Sequence, residues 1–351
     1  MLIQAEPLTD FVSKLFLAAG ASEESASLVA RALVATNLTG HDSHGVIRVS
    51  QYLDAIADGR LDPAATPVTE QETDTITLVD GRHTFGQVVA DFGIRTAIAK
   101  AKTKGIAATG LKNAQHVGRL GEWVERAAQH NLIGLGFCNG GTPGGLVTPF
   151  GGAGRFMGTN PFAAAVPVEG RAPVVVDFAT SVVAEGKVRL ALNKGEPLAE
   201  GRIQDKNGHA STAPEDLYDD GALLPMGEHK GSGLAFLMEL LGGLLLGQGS
   251  PKFADYGKFR NGVLFIVLSV EAFRPVEPFL AESLELSDLF KATPAAPGVG
   301  EVLLPGEPEQ RTTQKRLQEG IPIDEATWAQ LVERAGDLEV AVPEISSGSE
   351  P

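Results

Sequence analysis

Between residues 86 and 138 the chain alternates helix-like and strand-like segments, and then the alternation stops. Apolar residues recur at helical spacing over 88–104, a short apolar run fills 106–111, helical spacing returns over 120–129, and 132–137 is again strand-like. Two Gly/Pro-rich connections follow, at 140–145 and 151–158. A doubly wound parallel sheet needs that beat to continue along the chain. No G-x-G-x-x-G occurs either: the nearest string, Gly134 to Asn139, ends in Asn and falls inside a strand. There is no P-loop pattern. Any dinucleotide is therefore bound without the Rossmann fingerprint.

Helices surround this α/β region. Residues 8–19, 23–38 and 46–57 have helical periodicity, with Ser22 as N-cap of the second and Glu23 and Glu24 in its first turn. Gly59 and Pro63 end the third. Residues 69–79, rich in Thr, Ile and Val, read as one strand closed by Asp80-Gly81. Further on, 174–178 and 261–270 read as buried strands. Residues 230–246 form a strongly apolar helix, expected to be buried on most sides. Residues 310–319 and 325–335 return to amphipathic helix, and 344–351 reads as a frayed tail. No internal repeat is visible.

The net charge of −15 would repel a nucleic-acid backbone, and no Lys/Arg run suggests a polybasic arm. Cys138 is the single cysteine, so neither an intrachain disulfide nor a Cys-based metal cage can form. The first 21 residues lack the basic start and continuous apolar stretch of a secretory signal. The longest apolar stretch, 234–246, is interrupted by Glu239 and is too short for a membrane span. A cytoplasmic protein without membrane contact is expected. The 42 glycines, well above the usual ~7% share, spread through the middle of the chain, which implies close backbone approaches as around a ligand.

The string Gly40-His41-Asp42-Ser43-His44-Gly45-Val46-Ile47-Arg48 packs two imidazoles, a carboxylate, a hydroxyl and a guanidinium between helices. Histidine exchanges protons near neutral pH and arginine grips a carboxylate through parallel hydrogen bonds, so the string suits holding a small acid and moving a proton on it. Alternatively Asp42 or Ser43 simply caps the next helix. A metal reading of His41 and His44 lacks an H-E-x-x-H pattern or a third ligand, and no metal is expected. His116 lies on the strand-to-helix turn 113–121, where backbone N–H groups can face an anion; it is an acid/base candidate or a histidine satisfying its own loop. Asn160, in Gly-Thr-Asn-Pro, could offer a ligand both donor and acceptor, or only turn the chain. Asp177 sits at a strand end and could accept from a ribose, while Thr180 and Ser181 after it could cap the helix carrying Lys187. His229-Lys230-Gly231 opens the apolar helix, where Lys230 opposes the helix dipole unless a phosphate is held there.

In order, Gly-His-Asp-Ser-His-Gly-Val near 40, His-Val-Gly-Arg at 116–119, Gly-Thr-Asn-Pro at 158–161, Asp-Phe-Ala-Thr-Ser at 177–181, His-Lys-Gly at 229–231, Pro-Gly-Glu at 305–307 and Glu-Gly-Ile-Pro at 319–322 resemble the type-2 malate/L-lactate dehydrogenase family. The resemblance runs from about 8 to 338. Phe-Gly-Gln-Val at 85–88 and Glu-His-Lys-Gly at 228–231 also have counterparts in its hydroxycarboxylate dehydrogenase B branch. It implies an α/β (α+β) fold, with a non-Rossmann NAD(P)-binding mixed-sheet domain over 71–308. A helical domain is implied from both chain ends, 1–70 and 309–340, with a flexible tail at 341–351. It implies a homodimer that uses NAD or NADP to interconvert a 2-hydroxycarboxylate and its 2-oxo acid by hydride transfer.

Carried over by position, proton transfer falls to His116 or His44, and Ser43, Arg48 and Asn160 hold substrate. Cofactor contacts fall to His44, Gly118, Arg119, Leu120, Val175, Val176, Asp177, Phe178, Ala179, His229, Lys230, Asn261, Gly306, Glu307, Pro308 and Glu309. Two departures bear on substrate: Ala114 stands where many members have Ser, and the glycine-rich 138–141 stretch would open the pocket. Family members oxidise malate, lactate, sulfolactate or ureidoglycolate, or reduce cyclic imino acids, and the residues do not choose among these. A catalytically silent dimer that binds a nucleotide or small acid is the rival from another class; His44, His116 and Arg48 together count against it. A metal-dependent hydrolase using His41 and His44 is the rival enzyme.

Overall fold

The computed structural model describes residues 1–253 and 259–343. The chain opens with β1 (Leu2–Ile3), α1 (Ala5–Ala18) and α2 (Glu23–Leu38), then a 3-10 turn over Asp42–His44 and α3 (Arg48–Ala57). The α/β region is β2 (Val68–Glu72), β3 (Ile76–Asp80), α4 (Gly86–Lys104), β4 (Ile106–Ala114), α5 (Leu120–Ala128) and β5 (Leu132–Asn139). After the glycine-rich loops come β6 (Phe162–Val166), β7 (Val174–Phe178) and α6 (Glu185–Lys194). Next are β8 (Ile203–Gln204), β9 (Ala210–Ser211), α7 (Pro214–Tyr218), β10 (Ala222–Leu223) and α8 (His229–Met238), which runs on into a π-helical turn at Glu239–Leu244. The remainder is β11 (Asn261–Ser269), α9 (Val276–Lys291), α10 (Glu307–Glu319), β12 (Ile321–Pro322) and α11 (Glu325–Asp337).

Seven strands form one mixed sheet in the order β2-β3-β4-β11-β5-β6-β7. Neighbours are antiparallel except β3 and β4, which are parallel. β11, late in sequence, is inserted between β4 and β5; its near-continuous burial explains its unbroken apolar run. Val89, Ile94 and Ala97 of α4 and Trp123 and Val124 of α5 share a core with Leu111, Phe265 and Val267 of the sheet. A second core joins Leu8, Phe11 and Phe16 of α1, Val29 and Leu33 of α2 and Tyr52 of α3 to Ile321, Trp328 and Leu331 from the other end of the chain. β1 pairs with β12 to close it, and the Met1 amino group donates to the Ile323 carbonyl at 3.0 Å. A smaller core under the three-stranded β10-β8-β9 sheet includes Val147, Met157, Val188 and Leu217.

Several elements follow the sequence closely. Ser22 caps α2 by accepting from the Ser25 N–H at 3.2 Å, and Asp324 caps α11 through Thr327 at 2.9 Å. Others differ. The single strand expected over 69–79 is a hairpin, turned where the Thr73 hydroxyl accepts from the Ile76 N–H. Neither Asp42 nor Ser43 caps α3. The helix expected over 230–246 is not buried on most sides: its α-helical part ends at Met238, and Phe236, Leu237, Leu240, Leu244 and Leu245 face outward, Leu245 at 64% exposure. α9 and the small sheet had no sequence expectation, the latter because two-residue strands leave no period to read. Residues 344–351, expected to be a frayed tail, lie outside the described residues.

Candidate active site

The turn at Asp42–His44 and the turn between β4 and α5 meet face to face, with the His44 and His116 ring centroids 5.3 Å apart. Both turns are built rigidly. Arg316 of α10 grips the Asp42 carboxylate with two hydrogen bonds, at 2.6 and 3.0 Å, and Asn37 donates to the same carboxylate while accepting from the Val46 N–H. That is why Asp42 has no capping role: it is the anchor of the turn that carries His44. Across the site, Asn261 of β11 accepts from the Val117 N–H at 3.1 Å and donates to the Asn139 carbonyl at 3.0 Å. Gly86, at the start of α4, lies so close that a Cβ there would sit 2.2 Å from the His116 carbonyl oxygen. Only glycine allows this approach.

Three polar side chains converge with the histidines. Ser43 Oγ lies 2.9 Å from His44 Nδ1. Arg48 donates from Nε to the Ser43 carbonyl and from Nη1 to Gln51, both at 2.7 Å, which leaves Nη2 uncommitted. Among the described residues no carboxylate pairs with Arg48. His116 Nδ1 lies 2.7 Å from the Tyr52 hydroxyl. Burial is the main cause that lowers the His44 pKa, to about 4, followed by the Arg48 guanidinium and His41. His116 is held well below its ordinary value by burial, then by Arg48 and His44. Both rings are therefore neutral at pH 7. Burial raises the Tyr52 phenol to about 12, against the opposing pull of Gln87 and Arg48.

Ser43, His44, Arg48 and His116 line a cavity of about 630 Å³, with Tyr52 buried behind His116. Gly118, Arg119 and Leu120 form one side, Asp177, Phe178 and Ala179 another, and the start of α6 with Lys187 a third. A second cavity of about 630 Å³ is lined by Val175, Gly306, Glu307 and Glu309, and Arg119 lines both. His41 bridges toward the second cavity, its Nε2 3.3 Å from Glu309. Val176 and Pro308 line neither cavity.

Other candidate residues are engaged elsewhere in the chain or lie outside these two cavities. Asn160 is fully buried. Its Nδ2 donates to the Ala235 carbonyl and to Glu239, and its Oδ1 accepts from the Gly140 N–H, so both amide donors are used within the chain. His229 and Lys230 are exposed at the start of α8, with the His229 ring 6.0 Å from Phe150, and line neither cavity. The Asp177 carboxylate already accepts from the Gly121 N–H at 2.8 Å, so one donor of the α5 N-terminus is used within the chain. Tyr52, Gln87 and Glu239 were missed. Tyr52 had a signal: it lies one turn beyond Arg48, on the same face of α3. Glu239, an acid inside an apolar stretch, was read only as an interruption.

The sequence profile of a family described as malate/L-lactate dehydrogenase matches residues 3–332. The chain is 35% identical to hydroxycarboxylate dehydrogenase B of Escherichia coli K12 over 97% of its length and 94% of that protein's. It is 34% identical to the malate/(S)-sulfolactate dehydrogenase of Methanothermus fervidus, over 97% of this chain and 99% of the other. The solved sulfolactate dehydrogenase of Methanocaldococcus jannaschii superposes with a TM-score of 0.88 at 32% identity, covering 97% of this chain and 98% of that one.

Proposed function

The chain belongs to the malate/L-lactate dehydrogenase family, and from that premise we propose that it interconverts a 2-hydroxycarboxylate and its 2-oxo acid with a nicotinamide cofactor. The observation that carries the proposal is the uncommitted edge of Arg48 beside two neutral histidines in one cavity. Arg48 binds the substrate carboxylate. His116 exchanges the proton at the C2 oxygen through Nε2, since its Nδ1 is taken up by Tyr52. His44 orients substrate with Ser43. Binding prepares the proton transfer: a carboxylate paired to Arg48 cancels one of the charges that hold both histidines neutral.

The residues present fit the cofactor. Arg119 is buried and lines both cavities, its guanidinium held at 3.5 Å from Asp177 and 3.6 Å from Glu125, so a fixed positive charge stands where a dinucleotide would pass from one cavity to the other. We propose that Gly118, Arg119, Leu120, Asp177, Phe178 and Ala179 hold the part near His44. Val175, Gly306, Glu307 and Glu309 would hold the remainder, outside any Rossmann-type unit. When bound, the group accepts or supplies a hydride. We further propose a homodimer through the exposed apolar face of α8 and the π turn. The two large cores would then correspond to a helical domain, 1–70 with 309–340, and a cofactor domain, 71–308, with Phe85 crossing into the helical core.

A panel of 2-oxo acids with NADH and with NADPH, followed by absorbance of the reduced nicotinamide, tests the reading. Turnover of at least one acid is expected; no turnover with either cofactor overturns it. His116→Ala should lower kcat about 10²–10⁴-fold with cofactor affinity little changed, whereas His44→Ala should chiefly weaken binding. A pH profile that survives in His116→Ala and vanishes in His44→Ala would exchange their roles.

A further inference from the structure

The Phe85-Gly86-Gln87 string at the start of α4 has so far supplied only a close approach. Gln87 is 1% exposed, and its Nε2 donates to the Tyr52 hydroxyl at 2.8 Å. The same hydroxyl lies 2.7 Å from His116 Nδ1. Gln87 Oε1 is buried with no hydrogen-bond partner among the described residues. This orphan fixes the sense of the chain. As it stands one amide hydrogen and the carbonyl oxygen go unmet; with the amide turned over both hydrogens would, and buried orphaned donors are the rarer and costlier case. Gln87 therefore donates to Tyr52. Tyr52 has a single hydrogen, which cannot point back at the donating amide and is directed to His116 Nδ1. An Nδ1 that accepts leaves the proton of the neutral ring on Nε2.

We propose that Gln87 is a positioning residue which, acting through Tyr52, holds neutral His116 as the tautomer with its Nε2–H facing the cavity. The rest of the surroundings are consistent with this. The His116 ring lies between His44 and Phe259, neither of which makes a hydrogen bond to Nδ1. Phe85 packs edge-on against Tyr52 and Phe16, at centroid distances of 6.3 and 5.2 Å, and so braces the phenol ring. The consequence rests on the reading of His116 given above: the resting site meets substrate with a donor. Its Nε2–H is placed to hydrogen-bond the 2-oxo oxygen, which only accepts; delivery of the proton in reduction also needs a second proton on Nδ1, so that loss of the Nε2 proton leaves the ring neutral. A 2-hydroxyl that must give up its proton requires a ring whose hydrogen bonds have first been reversed.

The tautomer can be read directly, without turnover, from the ring nitrogen shifts of 15N-histidine-labelled full-length protein. The His116 signals are assigned by their loss in His116→Gln. The wild-type protein should show a protonated Nε2 and a bare, accepting Nδ1 throughout the neutral range. Gln87→Glu places at the same position a group that, once ionised, only accepts. As pH rises in that variant the tautomer should switch to Nδ1–H, and the His116 pKa should rise by about 1–3 units, moving the acid limb of the pH–rate profile with it. In a Tyr52→Phe background the switch should be absent.

A wild-type ring protonated on Nδ1 would overturn the proposal. So would a folded Gln87→Glu variant whose His116 tautomer never changes, or a switch that persists in Tyr52→Phe. If Gln87→Glu does not fold, Gln87→Met keeps the volume and removes the donor; it should lower kcat in the wild-type background and have no added effect in Tyr52→Phe. Equal costs in both backgrounds would overturn the coupling. Absence of any oxidoreductase activity with the wild-type tautomer as stated would instead overturn the enzymatic reading alone.

Discussion

Two nitrogens of Arg48 are already held by Ser43 and Gln51, so its guanidinium is fixed in the cavity before any ligand arrives. Arg48→Lys removes both the brace and the planar fork. Loss of one charge-assisted hydrogen bond costs about 1.5–3 kcal/mol, so KM for the 2-oxo acid should rise at least tenfold while cofactor Kd holds. A raised cofactor Kd at unchanged KM would move Arg48 to the cofactor site. The histidines make a second prediction. The folded-state pKa of His44, about 4, lies below its ordinary 6.5. The unfolded chain therefore takes up a proton first as pH falls, so stability is full above pH 6.5 and declines between 6.5 and 4. His44→Asn should flatten that decline in urea titrations at stepped pH. His44 and Arg48 were legible because a core or surface helix has no ordinary use for them, and His116 because it stands on a strand-to-helix turn. Tyr52 was not, because an aromatic at helical spacing reads as core, and its ring does pack with Phe16 and Phe85 while its hydroxyl meets His116.

At the scale of elements, the loops beside the cavity are held from behind by the π turn after α8. There Glu239, 2% exposed, accepts from Asn160, Asn139, Ser250 and the Gly158 N–H, tying the end of β5, the 158–161 loop and Ser250 to one carboxylate. Four donors replace the water it lost, although burial still raises its pKa. Glu239→Leu would strand them; about 3–5 kcal/mol of stability should be lost, measurable by urea denaturation. Gly86→Ala acts differently. Its Cβ cannot coexist with the His116 carbonyl, so the turn must shift, and a misplacement of about 1 Å costs roughly 10²-fold in kcat. An unchanged kcat would show that the turn is free to move. The α/β beat, β11 and both helical ends were legible from periodicity. The 230–246 segment was not, since an apolar run cannot distinguish burial inside a chain from a face left outward, nor show a helix widening its turn around an acid.

At the scale of the whole molecule, the helical core is completed only by residues from both ends of the chain: Ile321, Ile323, Trp328 and Leu331 fill the core built on α1, α2 and α3. Removing everything after Glu319 uncovers these partners. At roughly 1.5–3 kcal/mol per buried side chain, the loss exceeds what such a core can bear. The truncated protein should keep sheet signal in far-UV circular dichroism, lose helical signal and have no activity; full retention of helicity would contradict this account of the core. This arrangement also sets an order of events in time. His44, Arg48 and Tyr52 emerge early in synthesis, yet at ~5–20 residues per second the strands and helices that finish their support follow only after many seconds. During that interval the nascent chain can fold its central sheet while the half that grips the acid stays unfinished, so a stalled ribosome leaves behind a fragment that cannot turn over substrate.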